Sequence, residues 1–257
     1  MEDKKEEKVF SHSRLCLFEN CPEAYKVKYI YKKFPDLPES IEAFLGKTVH
    51  ESLEWLYNEV KKRDINLDDV IEYYLKNWND KFSEDIRVKN GNKEIYYNKG
   101  IKFLVDYYQK HKPFSDNTIE TEKEILFDLD EDGEYKIKGY IDRIVLNEDG
   151  EYEVHDYKTN SNLKTEDEIK KDRQLALYNI GLKKLLGNHT KVKLIWHFLA
   201  HNQSIISYRT EEELEKLKRD TLELIKKIEN NTEWPACGRS FCDWCEFKRV
   251  NGLDRFI

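Results

Sequence analysis

The chain has 257 residues, a formal net charge of −7, 37% charged and 39% apolar residues. That length suits one large domain, and the apolar share is enough for a packed core. No run of 18 apolar residues occurs, which excludes a membrane-spanning helix. The opening MEDKKEEK lacks the apolar stretch of a signal peptide, so the cytosol is the expected location. The acidic balance argues against a general nucleic-acid binder but leaves room for a local basic groove.

Residues 1 to 8 read as a charged, disordered lead. Ser11 or Ser13 caps a predicted helix over roughly 14 to 32, where Leu15, Phe18, Tyr25 and Tyr29 recur at helical spacing. The loop KKFPDLPES ends in Ser40, which caps a second helix over about 40 to 63. A third helical region, about 67 to 111, is broken near Asn90-Gly91-Asn92. The pattern then changes to alternation. TIETEKEILFDL, YKIKGYIDRIVL and EYEVHDYKT read as three strands joined by the turns DEDG and NEDG. Helix returns over 165 to 186. KVKLIWHFLA and HNQSIISYR form a further strand pair, and Thr210 starts an amphipathic helix with a Thr-x-x-Glu box. A short cysteine-bearing tail closes the chain.

Three groups in the meander carry chemistry. Asp142 lies in its second strand and Asp156 in its third, with only the NEDG turn between them. Lys158, two residues after Asp156, points to the same face. Two carboxylates and an ammonium on one face are costly unless a divalent cation sits between the acids, and magnesium favours such oxygen ligands. A water bound there beside the lysine is placed to attack phosphorus. Asp-x-Lys alone is common on ordinary surface hairpins. Here both acids interrupt apolar, β-branched runs, where an unpartnered charge is expensive. Gln174 and Tyr178, at i and i+4, share one face of the helix that follows.

Five cysteines are present, and Cys237, Cys242 and Cys245 fall within nine residues. In a reducing compartment that reads as metal ligation rather than disulfide bonding. Lys26, Lys28, Lys32 and Lys33 form either a basic strip beside the reaction centre or an ordinary solvated helix face.

Asp142, Asp156-Tyr157-Lys158 and Gln174-x-x-x-Tyr178 together resemble the PD-(D/E)XK nuclease superfamily, and within it the RecB-like branch. That branch includes the CRISPR-associated adaptation nucleases and AddB-type helicase-nucleases. Gly46-x-x-x-His50-x-x-Leu53-Glu54 resembles its helical histidine motif, and SRLCLFENCPEAYKVKYI its opening helix. The resemblance spans nearly the whole chain. It implies an α+β fold with a restriction-endonuclease-like core, a central mixed sheet flanked by helices. A helical region (1–112) would precede the nuclease core (113–230), and a cysteine tail (231–257) would pack on the first helix, all in one domain.

The resemblance further implies a metal-dependent DNA nuclease, acting on single strands or DNA ends, in repair, recombination or CRISPR adaptation. His50, Asp142, Asp156 and the Tyr157 carbonyl would hold Mg2+ or Mn2+. Lys158 would orient the water, with Gln174 and Tyr178 in support. A helicase or a CRISPR integrase is the implied protein partner. The branch also carries a 4Fe-4S cluster held by one cysteine from the opening helix and three from the tail, here Cys21, Cys237, Cys242 and Cys245. Zinc is the alternative occupant and free thiols the third. This tail departs from the branch's pattern: Asn251 stands where its last cysteine is expected, so Cys237 must substitute from the other side. Cys16 is expected in the core. The competing function is a non-catalytic nucleic-acid-binding or partner module that keeps the fold.

Overall fold

The structure is a computed structural model and describes residues 8–35, 37–88, 92–239 and 242–251. Its elements run β1 (Lys8–Phe10), α1 (His12–Asn20), α2 (Pro22–Tyr25), a π-helical turn (Lys26–Ile30), α3 (Ile41–Glu59), α4 (Leu67–Lys81) and α5 (Lys93–His111). There follow β2 (Thr118–Asp128), β3 (Tyr135–Leu146), β4 (Tyr152–Lys158), α6 (Glu166–Lys170), α7 (Arg173–Leu186), β5 (Val192–Phe198) and β6 (Gln203–Ser207). Two helices, α8 (Glu211–Glu229) and α9 (Asp243–Val250), complete the order. The sheet is mixed. Its strands lie in the order β1-β3-β4-β5-β6, with β2 paired to β3. β3 and β4 are antiparallel, β4 and β5 parallel, and β5 and β6 antiparallel. The expected fold class, a central mixed sheet flanked by helices, is therefore present.

Local chemistry explains most element ends. Ser11 and Ser40 accept hydrogen bonds from the Arg14 and Ala43 amides, as capping residues do. Asn66 and Asp69 form a reciprocal capping box at the start of α4. The helix expected over 14 to 32 is divided instead. Cys21 is extended, and Pro22 opens a new turn, because proline has no amide to donate but fits the first helical position. The helix expected over 165 to 186 likewise breaks, because Asp172 is extended and caps α7 through Gln174. Lys8, read as part of a disordered lead, belongs to β1, which pairs in parallel with Tyr135–Ile137. The rest of that lead, and Asn90-Gly91 of the expected break, lie outside the described residues. The tail holds a helix, α9, that its short pattern did not announce.

The chain divides into two compact units. The first comprises 1–37, 126–139 and 212–257. In it Lys8 pairs with Glu134 at 3.0 Å and Glu229 at 2.7 Å. Glu23, buried on α2, accepts from Trp244 Nε1 at 2.8 Å and Lys248 Nζ at 2.7 Å, which fastens α9 to the opening segment. Cys16 is half-buried against His12 rather than in the core. Its short side chain faces a polar ring on the same helical face.

The second unit comprises 38–125 and 140–211. Its core gathers Leu45, Val49, Leu53, Leu56 and Tyr57 of α3 with Val70, Tyr74 and Trp78 of α4 and Phe103, Leu104 and Tyr107 of α5. The ring of Tyr157 lies among them. A buried aliphatic or aromatic side chain contributes about 1.5 to 3 kcal/mol, so this cluster seats α3 firmly beside β4. Among the described residues, no helix is long and apolar enough to cross a membrane.

Candidate functional site

The site belongs to the second unit and grows out of the β3–β4 hairpin. Arg143 is opposite His155 in the register. One step further places Asp142 opposite Asp156, so the two carboxylates share a face. Directly opposed like charges destabilise a sheet, and Asp156 is 3% exposed. Burial, and the charge of Asp142 close by, raise its carboxyl above the ordinary range.

Lys158 answers part of that charge. Its ammonium lies 3.0 Å from Asp156 Oδ1 and 2.7 Å from Oδ2. Burial would lower the lysine's pKa, but Asp156 more than offsets it and the value rises, so the ammonium stays charged. Lys158 also donates to Gln174 Oε1 at 2.8 Å. Gln174 Nε2 donates to Asp156 Oδ1 at 3.1 Å and to the Tyr178 hydroxyl at 3.3 Å. The glutamine amide thus bridges acid and lysine from α7, with both of its ends used. Asp172 steadies α7 at its start and accepts from Lys164 at 2.5 Å. Burial pushes the Tyr178 phenol up to about 12, so it is neutral at physiological pH.

His50 approaches from α3. Its Nε2 donates to the Tyr157 carbonyl at 2.7 Å, and its Nδ1 lies 3.5 Å from Asp142 Oδ2. Burial alone would lower its pKa; Asp142 and Asp156 instead hold it up at about 9. The Tyr157 amide donates to Asp142 Oδ2 at 2.8 Å. The backbone of Tyr157 therefore binds both histidine and acid. Gly46, one turn before His50, makes the helix's close approach possible: a Cβ there would sit 3.2 Å from Thr159 Oγ1.

The structure thus brings together seven sequence-predicted residues: His50, Asp142, Asp156, Tyr157, Lys158, Gln174 and Tyr178. It adds one that the motifs did not indicate. Ligand atoms of Glu122, His50 and Asp142 all lie within 4.8 Å of one another. Glu122 lies mid-β2 with φ of 48°, a left-handed conformation that bulges adopt to re-aim a side chain. Glu122 is an exposed residue, yet partial burial and then the charge of Asp142 raise its carboxyl pKa to about 7. The only sequence signal for it is one more acid in a strand full of acids.

The donor set fits a hard divalent cation. Three neighbouring strands each supply a carboxylate, an imidazole and a carbonyl stand beside them, and Asp156 Oδ2 is buried with the Lys158 ammonium 2.7 Å away. The ammonium uses one acceptor site of that carboxylate and leaves others for a cation.

The reverse face of the hairpin was not foreseen. Arg143 is 1% exposed. It donates to the Tyr157 hydroxyl at 2.9 Å, Asp116 at 2.5 Å, Thr118 at 3.0 Å and His155 Nδ1 at 3.0 Å, and its guanidinium lies 3.8 Å from the centre of the Tyr57 ring. Because Arg143 can only donate, His155 Nδ1 is an acceptor. His197 Nε2, 2.8 Å away, donates to it as well, and Ser204 lies 3.0 Å from His197 Nδ1.

In the first unit the four predicted thiols converge. Cys21, Cys237, Cys242 and Cys245 have their sulfurs within 4.8 Å of one another. The predicted basic strip is interleaved with rings: Lys26 lies over Tyr31 and Trp234, and Lys28 over Tyr29 and Phe34.

A family model described as the PD-(D/E)XK nuclease superfamily matches residues 9–250. Among solved structures, the chain is similar to the crystal structure of a "Putative exonuclease" from Eubacterium rectale. The TM-score is 0.54 and the identity 13%, over 97% of this chain and 94% of that one. It is also similar to the crystal structure of SSO0001, with TM-score 0.42 and 19% identity over 96% and 86% of the two chains. No curated protein matches the sequence.

Proposed function

Since the chain belongs to the PD-(D/E)XK nuclease superfamily, we propose that it is a metal-dependent deoxyribonuclease of the RecB-like branch. Its substrate is DNA, taken at single strands or at ends, in repair, recombination or CRISPR adaptation. A helicase or CRISPR integrase is the protein partner that this branch assignment implies. One observation carries the reading. The charged Lys158 is locked between Asp156 and Gln174, while Asp142, opposite Asp156, is bound by the Tyr157 amide and approached by His50. The exonuclease name of the similar solved structure supports action from ends.

His50, Glu122, Asp142, Asp156 and the Tyr157 carbonyl would hold Mg2+ or Mn2+. When bound, the cation supplies an acidified water and neutralises charge on the phosphate. The chain's own groups do the positioning. Lys158, kept protonated by Asp156, orients the attacking water and faces the negative charge that builds on the phosphoryl oxygens. Gln174 fixes the rotamer of both acid and lysine, and Tyr178 holds the glutamine. Cys21, Cys237, Cys242 and Cys245 hold a second metal centre in the other unit.

The test is Mg2+-dependent cleavage of end-labelled linear single-stranded DNA, with circular DNA and RNA in parallel. The wild-type protein degrades the linear strand from an end. Lys158→Ala and Asp142→Ala abolish cleavage and keep the fold. Cleavage of wild-type strength by purified Lys158→Ala would overturn the mechanism.

A further inference from the structure

We propose that Cys21, Cys237, Cys242 and Cys245 form a structural site for one tetrahedrally bound zinc-type ion, and not for an iron–sulfur cluster. The proposal rests on the thiols being metal ligands and is independent of the nuclease reading.

Distance decides between the two occupants. Four thiolates around one zinc, each at about 2.3 Å, stand about 3.8 Å apart along the edges of the tetrahedron. A 4Fe-4S cluster binds each cysteine to a different iron, which spreads the sulfurs several ångströms wider. Here the Cys237 and Cys245 sulfurs are 3.6 Å apart and those of Cys21 and Cys245 are 3.9 Å apart. All four lie within 4.8 Å of one another. The cradle has the dimensions of a single ion and no space for a cubane.

A second, separate observation is the backbone around the sulfurs. The Ala24 and Cys237 amides donate to Cys21, the Arg239 amide to Cys237 and the Cys245 amide to Cys242. Amides two or three residues beyond a cysteine reach its sulfur only if the chain folds back on itself there. Gly238, with φ of 66°, provides that turn directly after Cys237. Four thiolates around a divalent ion leave a dianion, and the Arg239 side chain, which bonds Cys237, is its counter-charge.

The surroundings are built to hold a fixed centre. Cys21 is 1% exposed. Phe34, Trp244 and Phe247 pack around the thiols. The Glu23–Trp244–Lys248 clasp holds α9 in place beside them. The three tail ligands follow the spacing Cys237-x4-Cys242-x2-Cys245, and the Gly238 turn brings them close together.

The experiment is elemental analysis and spectroscopy of full-length protein purified anaerobically without added metal. We expect one zinc per chain, no iron and no acid-labile sulfide. Exchange with Co2+ should give the intense d–d absorption of tetrahedral cobalt thiolate. Zinc should be lost in Cys237→Ser and kept in Asp142→Ala, which separates this site from the reaction centre. About four irons and four sulfides per chain with broad visible absorption would overturn the proposal. So would a metal-free protein with reactive thiols, or zinc that leaves with Asp142. If Cys237→Ser does not fold, the cobalt spectrum of the wild-type chain decides alone.

Discussion

The two faces of the β3–β4 hairpin hold similar residue types and treat them oppositely. On one, two carboxylates, Asp142 and Asp156, crowd together, with one lysine and one histidine to answer them. On the other, the Arg143 guanidinium is enclosed by Tyr57, Tyr157, Asp116, Thr118 and His155, each bonded to it or stacked against it. The same strand register produces both. Acids that share one lysine keep negative charge to offer a cation; a guanidinium surrounded by its partners holds the sheet. The difference teaches that burial alone does not mark a functional residue; the balance of charge around it does.

The largest expected effect would break the comparison from the open side. Asp142→Asn keeps an acceptor for the Tyr157 amide but relieves the opposed charges. Cleavage should fall by about 10^3-fold or more, while the thermal midpoint of metal-free protein should stay level or rise. A fall in that midpoint would show that the open face is structural after all.

The packed side should give the opposite result. Arg143→Leu leaves Asp116, Tyr157 and His155 without their donor, and stability should drop by about 3 to 5 kcal/mol, measured by urea unfolding. Below that variant's melting point, residual cleavage should persist. Tyr157→Phe, which removes only the hydroxyl, should cost about 1 to 2 kcal/mol and leave the backbone contacts to His50 and Asp142 in place.

Acid sharpens the contrast further. Burial first, and then the charge of Arg143 or Lys110, hold the pKa of His155 and of His111 down at about 4. In the unfolded chain a histidine titrates near ~6.5. The unfolded state therefore takes up protons first as pH falls. The stability contributed by the neutral rings is intact above about 6.5 and is lost progressively down to about 4. Urea midpoints measured through that window should decline, and a flat profile would contradict the assigned neutral ring network.

Much of the open face was legible. DEDG and NEDG announced turns, and the spacing between Asp142 and Asp156 suited a hairpin. The alternation around them made a charge conspicuous. Helical spacing put Gln174 and Tyr178 on one face, and their roles were legible from the family resemblance. Glu122 was not, because it relies on a left-handed residue inside a strand, and strand periodicity assumes none. Arg143 and His155 were passed over for a related reason. They alternate with the acids, and a sequence does not show that the partners of Arg143 come from the helix and loop residues Tyr57 and Asp116. The division at Cys21-Pro22 was signalled by the proline but masked by the apolar period continuing through Tyr25 and Tyr29. The cysteines were legible as ligands, while the separation of their sulfurs was not.

The smallest effect concerns Gly46. His50 reaches Asp142 and the Tyr157 carbonyl only because the helix that carries it meets Thr159 with no side chain between them. Alanine at 46 would wedge helix and strand apart by a few tenths of an ångström, enough to lower cleavage several-fold with little change in stability. Thr159→Ala removes the obstructing oxygen, so the double variant Gly46→Ala/Thr159→Ala should recover what the single change loses. Position 46 and position 159 then form a volume-exchange pair, in which a methyl on one side is tolerated when an atom is given up on the other. The reach of the histidine becomes adjustable from two residues that touch neither cation nor substrate.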